Sequence, residues 1–227
     1  MGSGERYRAA HGRFVDVMRD VDDDAAVPAT PEWTAGVLLS HVVGVATDLA
    51  EGRVDQWAQP AWTAAQVSAR VGRSRNELLA EWDERLDRVV AIADDPSSAG
   101  LDDMYSRVPL IDLVAHEYDL REAVGAIEPL ADDDWAILSV QRQLWLNVFV
   151  SGAGLPPLRV TSDRGDDWLV GGETLAGTVH APRQDLWRSM EGRRSRADVR
   201  AFEWSVDPEP YLACWLGPAF AWPDNGC

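Results

Sequence analysis

The spacing of apolar residues changes once along this 227-residue chain, and that change constrains the fold more than any other feature. Before about residue 150, apolar side chains recur every three or four residues, which predicts amphipathic helices. After the glycine- and proline-rich segment 151–157 they alternate with polar residues, which predicts short strands. The sequence therefore predicts an α plus α+β fold, with an antiparallel four-helix-type bundle over residues 1–152 and a small α+β domain over residues 153–227.

Local signals predict where the helices and strands lie. Thr34 is expected to cap the second helix, and Ser74 and Glu77 form a capping box that predicts the start of another. In the first helix, His11 lies beside the main apolar stripe and is expected to be exposed. Helices are predicted over residues 5–21, 34–49, 64–71, 74–92, 109–125, 135–150 and 182–190, and strands over 158–161, 167–170 and 175–180.

The charged residues exclude several classes of function. All 21 positively charged side chains are arginine, because the chain contains no lysine. A Schiff-base enzyme, a lysine-bound pyridoxal phosphate and a P-loop each need the lysine amine, so the sequence excludes them. The net charge of −17 also disfavours nucleic acids and anionic membrane surfaces as partners, since both are bound mainly through positive patches.

The cysteine count and the hydropathy pattern bear on location. Only Cys214 and Cys227 occur, which excludes a disulfide framework and a cysteine-based zinc motif. The first residues lack an apolar signal region, and no run of about 18 apolar residues is present. We therefore expect a cytoplasmic protein that does not enter a membrane. We also expect it to be a monomer or a homodimer.

Three residues on two predicted helices point to a metal site. Asp112 and His116 are four residues apart, which places them on one face of the helix 109–125. His41 lies on the apolar side of the second helix, where a histidine is more commonly a core residue hydrogen-bonded to the backbone. Two imidazoles and a carboxylate would leave a fourth coordination position open, as in catalytic sites. Zinc is the default ion for these ligands, although nickel, iron(II) and manganese accept the same types.

Two further acidic residues lie on the same helix. Asp119 is close to one turn beyond His116 and is predicted to accept a hydrogen bond from a ligand imidazole, with an exposed charge as the alternative. The pair His116-Glu117 begins a His-Glu-x-x-His motif, but Leu120 occupies the final position. Glu117 is therefore not predicted to act as the base of a metalloprotease.

Four segments resemble the mycothiol-dependent maleylpyruvate isomerase family. They are PATPEWTAGVLLSH at 28–41, DLVAHEYDLREAVG at 112–125, GRRSRADVRAFEW at 192–204 and DPEPYL at 207–212. The resemblance implies a DinB-like helical bundle that binds a divalent metal, usually zinc, followed by a small sterol-carrier-like domain. It also implies His41, Asp112 and His116 as metal ligands, where the family often has Glu in place of Asp112.

The resemblance further implies a mycothiol-dependent isomerase or S-transferase. A metal-bound thiolate would add to an electrophilic small molecule, and an arginine of the second domain would hold a substrate carboxylate or a developing enolate. Arg193 is the nearest match for that arginine, and Arg194 is its rival. Two alternatives stay open: a metal hydrolase that activates water, and a non-catalytic ligand-binding or regulatory module.

Overall fold

The structure, a computed structural model, describes residues 2–54, 59–101, 107–216 and 222–223. Within these ranges it contains nine α-helices and one four-stranded sheet, and every strand of the sheet follows the helical N-terminal region. The predicted succession of a helical part and a mixed part is thereby confirmed. The chain divides into two compact units, Met1–Glu128 and Pro129–Cys227. No helix in the described ranges has both the length and the apolar character needed to cross a membrane.

The first unit is built from helices. They are α1 (Ser3–Arg19), α2 (Ala35–Ala50), α3 (Pro60–Ser68), α4 (Arg75–Asp94) and α5 (Val108–Ala123), with a 3-10 turn at Pro96–Ala99. α1 packs against α4 and α5, while α2 packs against α3, α4 and α5. The predicted caps are present, since Thr34 Oγ1 accepts a hydrogen bond from the Val37 amide and Ser74 and Glu77 form their capping box.

The environment of His11 differs from the expectation. The residue is only 8% exposed, and its ring packs edge-on against Trp82 with the ring centroids 4.4 Å apart. The expectation of an exposed side chain was wrong because the buried face of α1 is wider than the stripe identified in the sequence. Tyr7, His11, Phe14 and Met18 follow one another at helical spacing and are all buried.

The second unit begins with a long helix and contains the sheet. Its elements are α6 (Asp132–Gly152), β1 (Leu158–Ser162), β2 (Asp167–Val170), β3 (Gly177–Ala181), α7 (Arg183–Met190), α8 (Arg196–Arg200), β4 (Glu203–Trp204) and α9 (Glu209–Leu212). The strand order is β2-β1-β3-β4. β1 pairs antiparallel with β2 and parallel with β3, and β4 closes the far edge antiparallel to β3.

The helix α6 lies in the second unit, whereas the sequence boundary after residue 152 places it in the first domain. Its side chains explain the difference. Trp135 Nε1 donates a hydrogen bond to Asp166 Oδ1 at 2.7 Å, and the Gly171 amide donates one to Asn147 Oδ1 at 2.9 Å. Both bonds join α6 to the ends of β2, so the chain divides after Glu128 and not after α6.

Candidate metal centre

Two helices of the first unit bring together the three predicted ligands. α2 is buried along almost its whole length, so His41 points into the interior of the unit. α5 presents Asp112 and His116 from successive turns. His41, Asp112 and His116 each offer one ligand atom, and these atoms all lie within 4.8 Å of one another. The described part of the chain thus contains a cluster that could hold a metal ion.

The distances from Asp112 to the two histidines are somewhat longer than those between ligands of one metal ion. Asp112 Oδ1 lies 3.8 Å from His41 Nε2 and 3.7 Å from His116 Nε2. Both distances are longer than a normal hydrogen bond, which ends at about 3.2 Å. Two ligand atoms on one tetrahedral zinc ion are separated by about 3.3 Å, given metal–ligand distances near 2.0–2.1 Å. The two Asp112 distances exceed this separation by only about 0.4–0.5 Å, and the two histidine ligand atoms lie within 4.8 Å of each other.

The outer nitrogen of each imidazole has its own hydrogen-bond partner. His116 Nδ1 lies 2.9 Å from Asp119 Oδ2, and His41 Nδ1 lies 2.8 Å from Gln66 Oε1. Because both partners are acceptors, each Nδ1 donates the hydrogen bond, which leaves each Nε2 as the ring atom that faces Asp112. The structure places Asp119 where the sequence suggested an acceptor. It also adds Gln66 of α3, for which the sequence carries no local motif.

The cluster is open on one side. The side chain of Asp112 is 23% exposed, whereas those of His41 and His116 are 6% and 8% exposed. Trp33 covers the histidines, its ring centroid lying 5.1 Å from that of His41 and 6.2 Å from that of His116. An exogenous ligand would therefore approach beside the carboxylate, where solvent already reaches the site.

Tyr7 contributes a neutral group near the cluster. Burial raises the pKa of its phenol, the hydrogen bond from Trp82 Nε1 lowers it, and the negative charge of Asp112 raises it further. The net pKa lies well above that of a free tyrosine. Tyr7 therefore stays protonated at neutral pH, and Asp112 supplies the formal negative charge among the three ligands.

Glu117, next to His116 in the chain, serves the packing of the helices. Its buried carboxylate accepts hydrogen bonds from Arg13 Nε at 3.0 Å and from Arg121 Nε at 3.0 Å. Arg13 belongs to α1 and Arg121 to α5, so Glu117 joins the two helices. This arrangement agrees with the sequence argument that Glu117 is not a catalytic base.

Arg193 and Arg194, the two candidate arginines, lie in the second unit just after α7. Arg193 is largely buried and donates a hydrogen bond from Nη1 to the Glu191 carbonyl at 2.6 Å. Arg194 Nε donates to Asp185 Oδ1 at 2.9 Å and is the more exposed of the two.

The described part of the chain offers no activated thiol. Cys214 is a free cysteine, and burial raises the pKa of its thiol, which makes it a weak nucleophile at neutral pH. Cys227 lies outside the described residues.

No protein-family model, no curated protein and no solved structure matches the chain. The likeness to the mycothiol-dependent maleylpyruvate isomerases therefore stays a resemblance. The geometry of the three-ligand cluster is the firmer basis for assigning a function.

Proposed function

We propose that this protein is a metal-dependent enzyme that uses mycothiol to act on an electrophilic small molecule, either as a cis-trans isomerase or as an S-transferase. The observation that carries the proposal is the open cluster of His41, Asp112 and His116, in which both imidazoles have Nδ1 engaged and Nε2 directed at the same carboxylate. Three ligands of this kind with an accessible fourth position are typical of catalytic metal sites.

The proposal also covers the fold of each unit, the location of the protein and its partners. We infer that the first unit is a DinB-like bundle and that the second is a sterol-carrier-like domain, as the family resemblance implies. A reduced thiol cosubstrate fits a cytoplasmic protein. Small molecules are then the partners of the site, and the net charge of −17 supports neither nucleic acids nor anionic membranes in that role.

Zinc is the metal that fits the donor set best, because two neutral imidazoles and one carboxylate are common zinc ligands. When bound, such an ion lowers the pKa of a coordinated thiol from about 8.5, so that the thiolate predominates at neutral pH. His41 and His116 contribute neutral nitrogen ligands, and Asp112 contributes one negative charge. Asp119 and Gln66 keep the two rings oriented.

The thiol comes from the cosubstrate in this proposal, so the chain itself needs no reactive cysteine. Addition of the thiolate to a cis double bond conjugated with a carbonyl gives an enolate with a rotatable single bond. Expulsion of the thiolate after rotation returns the cosubstrate and leaves the trans isomer. If the sulfur stays on the carbon and the enolate takes up a proton, the reaction is S-transfer. Arg193 or Arg194 would supply a fixed positive charge for a substrate carboxylate or the enolate oxygen.

A cobalt-substituted sample tests the proposal. We expect titration with mycothiol to produce a thiolate-to-cobalt charge-transfer band that saturates at about one thiol per metal, and we expect a simpler thiol to need a higher concentration. The variant His116→Ala should lose the band. His180→Ala, which alters a histidine that bonds Thr161 in the sheet of the second unit, should keep it.

Two outcomes would overturn the proposal in different ways. A cobalt-loaded protein without the band at saturating mycothiol would favour a hydrolase in which water occupies the open position. A folded protein that binds no stoichiometric metal would exclude both enzymes and leave the non-catalytic ligand-binding or regulatory module.

A further inference from the structure

A chain of buried hydrogen bonds extends outward from His41. His41 Nδ1 donates to Gln66 Oε1 at 2.8 Å, and Gln66 Nε2 donates to Asp48 Oδ2 at 2.8 Å. The other oxygen, Asp48 Oδ1, accepts from Arg53 Nε at 2.9 Å. Asp48, Gln66 and His41 are all buried, so water competes little for the two bonds that Gln66 makes, whereas the Arg53 side chain at the outer end is 53% exposed.

The direction of this chain fixes the orientation of the amide. Both oxygens of the Asp48 carboxylate accept hydrogen bonds, so the group facing it on Gln66 must be the amide nitrogen. Gln66 Oε1 then faces His41 and requires a proton on Nδ1. Nε2 is left as the ligand atom, on the side where Asp112 lies.

A second observation, independent of the hydrogen bonds, concerns Gly44. It lies one turn beyond His41 in α2, at the contact with α3. A Cβ atom there would lie 2.5 Å from Gln66 Cβ and 2.7 Å from Gln66 Cγ. A glycine within a helix is less favourable than alanine, but here it permits the approach that brings Gln66 to His41.

The backbone of Gln66 is held at the same place. Arg70 Nη1 donates to the Gln66 carbonyl at 2.9 Å, and Arg70 also pairs with Glu81 of α4. Arg70 thereby links the backbone of Gln66 to α4.

We infer that Gln66 is a positioning residue for the metal centre, set in place by Gly44 and Asp48, and that it determines the tautomer and ring orientation of His41. The role of Gln66 in metal binding rests on the proposed function, whereas its effect on the tautomer of His41 does not. His116 has a charged acceptor in Asp119, whereas His41 has a neutral one. The two carboxylates Asp112 and Asp119 therefore balance the charge of a divalent ion, and Gln66 orients the second imidazole without adding a third negative charge.

The tautomer is tested first on the metal-free protein. The ¹⁵N chemical shifts of the His41 imidazole distinguish a protonated Nδ1 from a protonated Nε2. We expect a protonated Nδ1 in the wild type and a mixture of tautomers in Gln66→Leu. A wild type with the proton on Nε2 would overturn the inference whether or not the protein binds a metal.

Metal affinity is tested next, by competition with a chromophoric chelator for zinc. Gln66→Leu and Gly44→Ala should each weaken binding by about 10- to 100-fold, the usual effect of losing an outer partner of a ligand histidine. Gly12→Ala is the matched control, because a Cβ atom at that helical glycine would meet nothing within 4 Å. It should bind zinc as the wild type does.

A double variant that exchanges the amide of Gln66 and the carboxylate of Asp48 distinguishes a positioning role of Gln66 from a role in packing alone. In the variant that combines Gln66→Glu with Asp48→Asn, the new carboxylate accepts from His41 and the new amide donates to that carboxylate, so both hydrogen bonds return. We expect this variant to recover most of the zinc affinity and the protonated Nδ1. The inference would be overturned if Gln66→Leu or Gly44→Ala bound zinc with wild-type affinity. It would also be overturned if the double variant folded but did not recover zinc affinity. Absence of zinc binding by the wild type would instead count against the proposed function.

Discussion

Replacement of Asp119 by asparagine is the sharpest single perturbation of the candidate metal centre. The Asp119 carboxylate is fully buried and lies 2.9 Å from His116 Nδ1. Asparagine has nearly the same shape and can still offer an oxygen to the imidazole, but it carries no charge. The change thus removes the negative charge that strengthens the ligand while leaving the packing of α5 almost unaltered.

The size of the effect follows from the bond that is weakened. A buried hydrogen bond to a charged group contributes about 1.5–3 kcal/mol. Asparagine keeps a neutral hydrogen bond of about 0.5–1.5 kcal/mol, so the change removes about 1–1.5 kcal/mol. Since each 1.4 kcal/mol changes an equilibrium constant tenfold, we expect about a 10-fold weaker metal affinity. The assay is a competition for zinc between the protein and a chromophoric chelator at fixed pH, with circular dichroism to verify the fold.

Glu117→Gln provides the matched control, because it removes the same charge from a carboxylate that is equally buried on the same helix. Glu117 pairs with Arg13, whose side chain is 34% exposed, and with Arg121. We expect a loss of about 2–3 kcal/mol in unfolding free energy, toward the low end for a broken buried pair, and no change in zinc affinity. Equal losses of zinc affinity in both variants, or none in Asp119→Asn, would refute the reasoning.

Two further predictions concern stability and pH. Burial lowers the pKa of His11, so the unfolded chain binds more protons and wild-type stability should fall as pH drops below about 6.5. His11→Asn should show a smaller fall between pH 7.5 and 5.5 in urea unfolding, and an identical fall would contradict this. Burial raises the pKa of Asp166, but hydrogen bonds from Arg183, Ser162 and Trp135 bring it below the usual 3.8. Asp166→Asn should therefore lose about 1.5–3 kcal/mol at neutral pH, a difference that should shrink as pH falls through the folded-state pKa; a constant difference would argue against it.

The sequence was most informative where structure is set by neighbouring residues. The cap at Thr34 and the capping box at Ser74 depend on residues three positions apart, and both helices begin where predicted. Ser195 and Asp198 form a similar capping box at the start of α8, a helix that the sequence analysis does not predict although this signal is equally local. The two-residue strand β4 could not be recognised, because it exists only through its pairing with β3.

The residues of the candidate metal centre also differ in whether neighbouring residues or tertiary packing set their positions. Asp112 and His116 are four residues apart on one helix, so their proximity could be read from the sequence. Gln66 could not be found in that way, because its position depends on the packing of α3 on α2. Its one sequence signal is Gly44, a glycine in the middle of α2. The unit to which α6 belongs could not be predicted for a related reason. An apolar stripe shows which face of a helix is buried, but not which element covers that face.

The metal content of the purified protein, measured beside that of Asp112→Ala, tests the central claim most directly. Asp112 is the partly exposed ligand of the three, so its removal should leave the helices intact while taking away the carboxylate. We expect about one equivalent of divalent metal per chain in the wild type and far less in the variant at equal helical content. A folded wild type that remains metal-free after incubation with zinc, or a variant that retains the full equivalent, would contradict the account.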